Sequence, residues 1–311
     1  MKLIITIPAF NEEKTIEEVI KSIPKNINGI NEIQVLVVDD GSTDNTARIA
    51  EKNNAIVLKH KKNLGLAKSF KDALDKALEL NADIIVNTDA DNQYDQKEIP
   101  KLVQPIIEGK ADIVLGSRFK GKIEEMPLTK KIGNIIATTT VNFVSKAKIS
   151  DAQTGFRAFS RNAAAMLNIQ SSYTYTQETI IQAMFKGLKI IEVPVVFRKR
   201  KDKSRLISSI WIYAIKTIIT IIRSYLSYKP LKFFGVIGLL FILAGFIVGF
   251  KVLMHFIATS LVSPFIPSAL LASVLIIIGI EFIAIGLVAE TIKANRLTLE
   301  EILFRQKNKK N

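Results

Sequence analysis

The chain has 311 residues, a formal net charge of +14 and no cysteine. That length predicts more than one part; the missing thiols exclude disulfides, zinc–thiolate sites and a cysteine nucleophile; and the only two histidines, His60 and His255, leave little for histidine-based catalysis. A pI near 9.7 calls for an anionic partner (nucleic acid, a phosphorylated substrate or an anionic membrane leaflet), and the positive mean hydropathy of +0.24 argues against a soluble nucleic-acid binder.

The first apolar run, Leu3 to Ile7, is too short for a signal-peptide core and is followed at once by Pro8, Asn11 and Glu12, so it predicts a first strand. Further β-branched runs at Ile33 to Val38, Ala55 to Leu58, Ile84 to Val86 and Ile113 to Leu115 are separated by stretches of helical periodicity. These are Thr15 to Ser22, Thr43 to Asn53, Ala67 to Leu80 and Glu98 to Glu108. The alternation predicts a parallel α/β sheet, with Ser42 as N-cap of the second helix. Three polar loops then meet at one sheet edge: Pro8 to Glu12, Asp39 to Ser42 and Asp89 to Asp91. Open α/β sheets bind their ligands at such an edge. Lys59 to Lys62 reads as a solvated turn with an ordinary His60.

Within Asn87 to Gln93, two carboxylates one residue apart follow a buried strand. Their oxygens are hard ligands suited to Mg²⁺ or Mn²⁺ bridged to phosphates, although the D-x-D spacing is also common loop chemistry. There is no G-x-G-x-x-G after the first strand and no G-x-x-x-x-G-K-[ST], so a dinucleotide enzyme or P-loop NTPase is not expected. A nucleotide would be held mainly through a metal and side chains.

The ordered motifs Pro8-Ala9-Phe10-Asn11-Glu12, Val38-Asp39-Asp40-Gly41-Ser42-Thr43-Asp44, Asn63-Leu64-Gly65 with Ala67, Asp89-Ala90-Asp91-Asn92-Gln93 and Gly116-Ser117-Arg118 resemble those of family 2 glycosyltransferases. The later Asp151-Ala152-Gln153-Thr154-Gly155-Phe156-Arg157-Ala158-Phe159 is similar to the loop of the polyprenyl-phosphate branch, the dolichyl-phosphate mannose and glucose synthases. This resemblance covers about residues 1 to 205. It implies a GT-A fold, that is, a Rossmann-like α/β domain with a mostly parallel sheet. It also implies that Pro8, Ala9, Asn11, Glu12, Asp39, Asp40, Lys68 and Ala90 hold the nucleotide, and that Asp89, Asp91 and Gln93 hold the metal and diphosphate. The reaction implied is an inverting transfer in which a lipid phosphate oxygen attacks the anomeric carbon. A phosphate monoester is already largely ionised near neutral pH, so a strong general base is less necessary, in keeping with the scarcity of histidine.

The physical difficulty is anion against anion, which calls for a metal on one side and basic side chains on the other. Arg118, Lys130, Lys131 and Arg157 are the candidates for gripping the acceptor phosphate, with Asn134 and Gln153 as neutral partners. Arg118 comes first because a guanidinium binds phosphate through two parallel bonds. Lys130 and Lys131 also read as an exposed helix start. Arg198, Arg200, Ser204 and Arg205 lie in the densest basic run, read either as a loop closing over the diphosphate or as a segment against anionic headgroups. Glu178 reads equally as a group touching the donor sugar or the acceptor and as a helix N-terminal carboxylate.

Leu206 to Tyr228 reads as an amphipathic helix in the membrane interface, with Trp211 on its apolar face. Phe233 to Ile257 and Leu270 to Ala289 each exceed or match the roughly 20 apolar residues of a membrane span. Lysines and arginines flank this pair on its outer sides and are missing from the connection between the two spans, which predicts a multi-pass protein of the cytoplasmic membrane with the catalytic domain and both termini in the cytoplasm. Gly245 and Gly249 form a G-x-x-x-G that permits a homo-oligomer through the spans. Glu281 is expected protonated at a helix contact rather than paired with Lys251.

The expected organisation is a GT-A domain over 1–205, amphipathic juxtamembrane helices over 206–229, a two-helix transmembrane hairpin over 230–292 and a basic cytoplasmic tail over 293–311. The expected activity is metal-dependent transfer of a hexose from a nucleotide sugar to polyprenyl or dolichyl phosphate at the bilayer, without a nucleic-acid partner. The loop version Gln153-Thr154-Gly155-Phe156 leans toward a UDP-sugar over GDP-mannose. The alternatives are a processive polysaccharide synthase, which lacks support because no Q-x-x-R-W occurs, and a non-catalytic membrane scaffold or lipid-phosphate-binding module.

Overall fold

The structure, a computed structural model, describes residues 1–171, 174–199, 219, 221–223 and 225–308. Two compact units emerge: Met1–Ser224 with Glu300–Asn311, and Tyr225–Leu299. The predicted interface helix, with Trp211, lies almost wholly outside the described residues.

The first unit is built on a seven-stranded sheet of order β3-β2-β1-β4-β6-β5-β7. Its strands are β1 (Lys2–Ala9), β2 (Glu32–Asp39), β3 (Ile56–Lys59), β4 (Ile84–Asn87), β5 (Ile113–Ile123), β6 (Arg157–Ser160) and β7 (Ile190–Phe197). The helices are α1 (Ile16–Ser22), α2 (Thr46–Lys52), α3 (Leu66–Glu79), α4 (Ile99–Ile107), α5 (Leu128–Ser145), α6 (Arg161–Met166) and α7 (Thr176–Phe185). From Leu3 onward every residue of β1 is buried, the pattern of a central strand covered on both faces. Helix α3 turns Ala67, Phe70, Ala73, Leu74, Ala77 and Leu78 inward at helical spacing and ends before Asn81, whose φ of 59° is left-handed.

Three features depart from the sequence reading. The sheet is mixed rather than parallel throughout, because β6 runs antiparallel to both β4 and β5. Strand β7 also completes the sheet, and Pro194 is tolerated there because β7 is an edge strand. Ser42 does not cap the second helix: α2 begins at Thr46 after Asn45, and the Ser42 hydroxyl instead accepts the backbone N–H of Asn11 at 2.9 Å.

The second unit contains α8 (Pro230–Thr259) and most of α9 (Ile266–Asn308), both long and apolar enough to cross a membrane. Within it a Cβ on Gly238 would lie 2.5 Å from the Gly279 carbonyl, and one on Gly245 would lie 2.7 Å from Ile276. The small residues therefore serve close packing inside the hairpin. Gly249 faces Ala272 of the same hairpin, so the predicted G-x-x-x-G face is used within one chain. Glu281 is exposed on the hairpin surface instead of sitting at the helix contact, and Lys251 lies over the Phe265 ring at 4.9 Å.

Candidate functional site

Parallel strands β1, β2 and β4 deliver their C-terminal loops to one edge. The first two are stitched together by side chains: Asn11 accepts the Thr43 N–H at 2.8 Å, and Thr46 accepts the Glu12 N–H at 2.8 Å. Pro8 and Ala9 are buried at the end of β1. Asp39 is fully buried; its Oδ1 accepts the Ser42 N–H, whereas its Oδ2 has no hydrogen-bond donor and lies 4.0 Å from Lys59 Nζ.

Asp40 points into a different task. Its carboxylate accepts the N–H groups of Leu64 and Gly65, each at 2.8 Å, and lies 2.8 Å from His60 Nδ1. His60 Nε2 is 3.0 Å from Asp72, which also takes Lys68 Nζ at 2.6 Å. Thus Lys59–Lys62 is no simple solvated turn, because His60 is buried between two carboxylates. Lys68 is half-exposed and tied to this network on the first turn of α3.

After β4, Asp91 accepts the Gln93 N–H at 3.2 Å, and Ala90 is buried between the two carboxylates. The Gln93 amide nitrogen donates to the Arg198 carbonyl, while the Arg198 N–H returns to the Gln93 carbonyl at 2.8 Å. Arg198 Nη2 also pairs with Asp95 at 2.7 Å. The start of the basic run is therefore fastened to the D-x-D loop. Arg200, Ser204 and Arg205 lie outside the described residues.

The loop before β6 reaches back to the same place. The Asn87 amide donates to the Gly155 carbonyl and the Tyr175 hydroxyl, both at 2.9 Å, and the Gly155 N–H donates to the Tyr94 hydroxyl at 3.1 Å. Tyr175 stacks on Phe70 with ring centroids 3.7 Å apart. Burial pushes the Tyr94 phenol up to about 12, so it stays a neutral hydrogen-bonding group. These bonds hold Gly155 directly against Asp89.

Arg118 is buried and meets Asp151 in a two-pronged pair, Nε to Oδ2 at 2.7 Å and Nη2 to Oδ1 at 2.8 Å. Burial alone would push the Asp151 carboxyl up, but the Arg118 hydrogen bonds and charge hold it below the usual aspartate range. The Ser150 and Asp151 N–H groups donate to Glu192 on β7, fixing the start of the loop. Arg118 and Lys130 both approach the Phe197 ring, at 5.1 and 5.8 Å from its centroid. Asn134 is buried on the next turn, with its amide near Met126 Sδ, while Lys131 is exposed. Gln153 is partly buried, and its amide nitrogen has no hydrogen-bond acceptor.

Arg157 does not belong with the groups offered to an acceptor phosphate. Its guanidinium is fully buried and donates to the carbonyls of Thr154, Ala152 and Thr176 and to the Thr179 hydroxyl. Burial pushes its pKa down to about 10. It shapes the loop from within. Glu178 likewise accepts the Gln170 and Ser171 N–H groups and the Gln182 amide, so it anchors the segment before α7. Burial raises its pKa.

Sequence reasoning missed His60, Asp151, Asn87 as a clamp, Tyr94 and Tyr175. The close approach of Gly155 to Asp89 carries no sequence signal beyond the glycine itself.

Among the described residues no three His, Asp or Glu side chains gather to hold a cation by themselves. Asp89 and Asp91 supply hard carboxylate oxygens of the kind that would suit a divalent ion such as Mg²⁺ or Mn²⁺. Because the Gln93 nitrogen is used on Arg198, its oxygen is the atom it could add.

The mixed sheet with a D-x-D loop at the C-terminal end of β4 is the arrangement of a GT-A glycosyltransferase. The family described as Glycosyl transferase family 2 matches residues 4–167, and the chain belongs to it. It is 37% identical over 211 residues to a UDP-N-acetylglucosamine–dolichyl-phosphate N-acetylglucosaminyltransferase of Methanococcus voltae, covering 61% of this chain and 82% of the relative. It is 29% identical over 205 residues to a dolichyl-phosphate hexose transferase of Haloferax volcanii, covering 66% and 86%. In fold it is similar to glucosyl-3-phosphoglycerate synthase of Mycobacterium tuberculosis crystallised with Mn²⁺, UDP and glucosyl-3-phosphoglycerate, with a TM-score of 0.56 and 20% identity over 71% of this chain and 79% of that one.

Proposed function

We propose that this glycosyltransferase moves one sugar from a nucleotide sugar to polyprenyl or dolichyl phosphate. The observation that carries the reading is the contact between Gly155, in the loop similar to that of polyprenyl-phosphate enzymes, and Asp89 of the D-x-D pair. It puts an acceptor-side loop against a donor-side carboxylate. The names of the Methanococcus and Haloferax relatives support the acceptor, and the former supports a UDP-sugar donor over GDP-mannose.

In this reading Asp39 and the loop braced by Asp40 hold the nucleotide, with the undonated Asp39 Oδ2 available to a base or ribose N–H or O–H. Asp89 and Asp91, with the Gln93 oxygen, hold the cation. A bound Mg²⁺ or Mn²⁺ would offset the charge of the departing diphosphate. Arg118 and Lys130 lower the cost of bringing the acceptor phosphate near it, with Lys131 exposed beside them and Asn134 buried on the next turn. Arg118 is held rigid by its two-pronged pair with Asp151, so it acts as a fixed donor rather than as a mobile clamp. A phosphate oxygen forms the new bond to the anomeric carbon as the bond to the diphosphate breaks, and the electron pair leaves with the nucleoside diphosphate. Arg198, bonded to Gln93 and Asp95, brings the start of the basic run to the D-x-D loop. The chain's lysine and arginine distribution supports a cytoplasmic position for this unit.

The test is to incubate the full chain with Mn²⁺, polyprenyl phosphate and, separately, UDP-glucose, UDP-N-acetylglucosamine and GDP-mannose, followed by mass measurement of the lipid. One added sugar on the lipid phosphate is expected. A polymer would favour a processive synthase. Turnover of none of the three donors, with lipid phosphate still bound, would favour a binding module.

A further inference from the structure

The chain leaves the first unit after Ser224, forms the apolar hairpin and rejoins the first unit at Glu300. Residues 300–308, expected as part of a basic tail, are the last turns of α9. One face of this stretch is covered. Glu300, Phe304 and Lys307, spaced four and three apart, are half-buried, whereas Glu301, Ile302, Leu303, Arg305 and Gln306 are exposed. Residues at that spacing share a helix face, so the pattern is that of a docked helix rather than of a free end.

Two ion pairs identify what lies against it. Glu300 Oε2 is 2.8 Å from Lys186 Nζ, with the two side chains only 9% and 11% exposed. Lys186 closes the C-terminal end of α7 and also donates to the Met166 carbonyl at the end of α6. Lys307 Nζ is 2.6 Å from Asp75 on α3. A shielded pair such as Lys186 and Glu300 is weakened by salt and solvent much less than an exposed one. Because the docked segment is tethered to its own binding surface, a few contacts suffice to keep it seated.

The two helices bridged in this way meet again deeper in the unit. Phe70 of α3 stacks on Tyr175 at the start of α7, the Tyr175 hydroxyl accepts the Asn87 amide, and Asn87 donates to the carbonyl of Gly155, which lies against Asp89. Asp75 lies further along α3 than Phe70, and Lys186 ends the helix that Tyr175 begins. Rigid helices carry a restraint from one end to the other. We infer that the last turns of α9 are a clasp across α3 and α7, a positioning element that keeps Asn87 and the Gly155 loop in register with Asp89. The effect of the clasp on turnover rests on the glycosyl-transfer reading; the clasp itself does not.

The test compares the full chain with Glu300→Lys, with Lys186→Glu and with the double exchange, by hydrogen exchange and by turnover well below the melting temperature. Glu300→Lys should release residues 300–307 and raise exchange across residues 152–158 about threefold or more, and the double exchange should bring both segments back toward the native rates. Its kcat should fall about threefold, with a smaller effect on donor KM, and recover in the double exchange. Exchange of residues 300–307 in the native chain at the rate of an unfolded peptide overturns the clasp. So does release of that segment with no change across residues 152–158, which would leave it docked without a positioning role. Where the double exchange restores neither segment, Asp75→Lys with Lys307→Asp repeats the comparison on the more exposed pair, and failure of both exchanges overturns the proposal. Intact clasp behaviour in a native chain that turns over no sugar nucleotide would uphold the clasp and overturn the glycosyl-transfer reading instead.

Discussion

Gly155 lies so close to Asp89 that a Cβ added to it would fall 2.7 Å from one carboxylate oxygen and 3.0 Å from the other. Since the Gly155 N–H and carbonyl are both held, by Tyr94 and Asn87, the loop cannot easily retreat. Gly155→Ala should therefore displace Asp89 rather than the backbone. Turnover is expected to fall at least about tenfold, roughly the ~1.4 kcal/mol that a small misplacement easily costs. Donor binding without metal and the melting temperature should change little. Normal kcat with a lowered melting temperature would mean that the loop yields and Asp89 does not.

Arg118 and Asp151 form the second relationship that can be broken cleanly. Removing one partner of a buried, hydrogen-bonded ion pair strands the other charge and typically costs about 3–5 kcal/mol. Asp151→Asn is expected to lower thermal stability strongly at neutral pH. The pH dependence has a definite sign. Asp151 is held below its ordinary range in the fold, so the pair's contribution is complete above the unfolded aspartate pKa and is lost as pH falls through the lowered folded value. The native chain should therefore lose more stability on acidification than Asp151→Asn does. Parallel pH profiles of melting temperature for the two proteins would refute this.

These predictions concern residues of unequal visibility in the sequence. Strands β1, β2 and β4 were legible because continuous apolar runs end in polar loops, and those loops carry Asp39 and Asp89. Strand β6 was not, since four residues inside a loop motif carry no period and its antiparallel direction comes from pairing with β4 and β5. Asp151 pairs with Arg118 across 33 positions, a distance that no local pattern reports. Arg157 looked like a phosphate ligand because its charge is evident, whereas the carbonyls that absorb it become neighbours only in the fold. His60 was hidden by the lysines around it. In each case the residue type was readable, but its partner was set by tertiary packing.

His60 provides the third prediction. Its two ring nitrogens each meet a carboxylate, Nδ1 at 2.8 Å from Asp40 and Nε2 at 3.0 Å from Asp72. Through Asp40 it steadies the Leu64 and Gly65 amides beside the proposed nucleotide loop. His60→Ala should raise the donor KM several-fold with a smaller effect on kcat, and should cost about 1–3 kcal/mol from unsatisfied buried groups. His60→Asn, which restores one donor, should recover part of the KM. An equal loss of kcat in both variants, with unchanged KM, would place His60 elsewhere in the mechanism.

The D-x-D carboxylates can be separated from proton transfer by their metal dependence. If Asp89 and Asp91 hold a cation, Asp91→Asn should weaken Mn²⁺-dependent binding of the nucleoside diphosphate at least about tenfold, a loss of roughly 1.4 kcal/mol, while metal-free binding is retained. Titration calorimetry with the nucleoside diphosphate, with and without Mn²⁺, reads this without turnover. Asp89→Asn should behave similarly, with an added loss of kcat because Asp89 also faces Gly155. A general acid or base would give a different result: metal-linked binding intact, kcat reduced, and the pH–rate limb of that group removed. Both patterns are measurable on the same two variants, and the close approach of Gly155 to Asp89 favours the first.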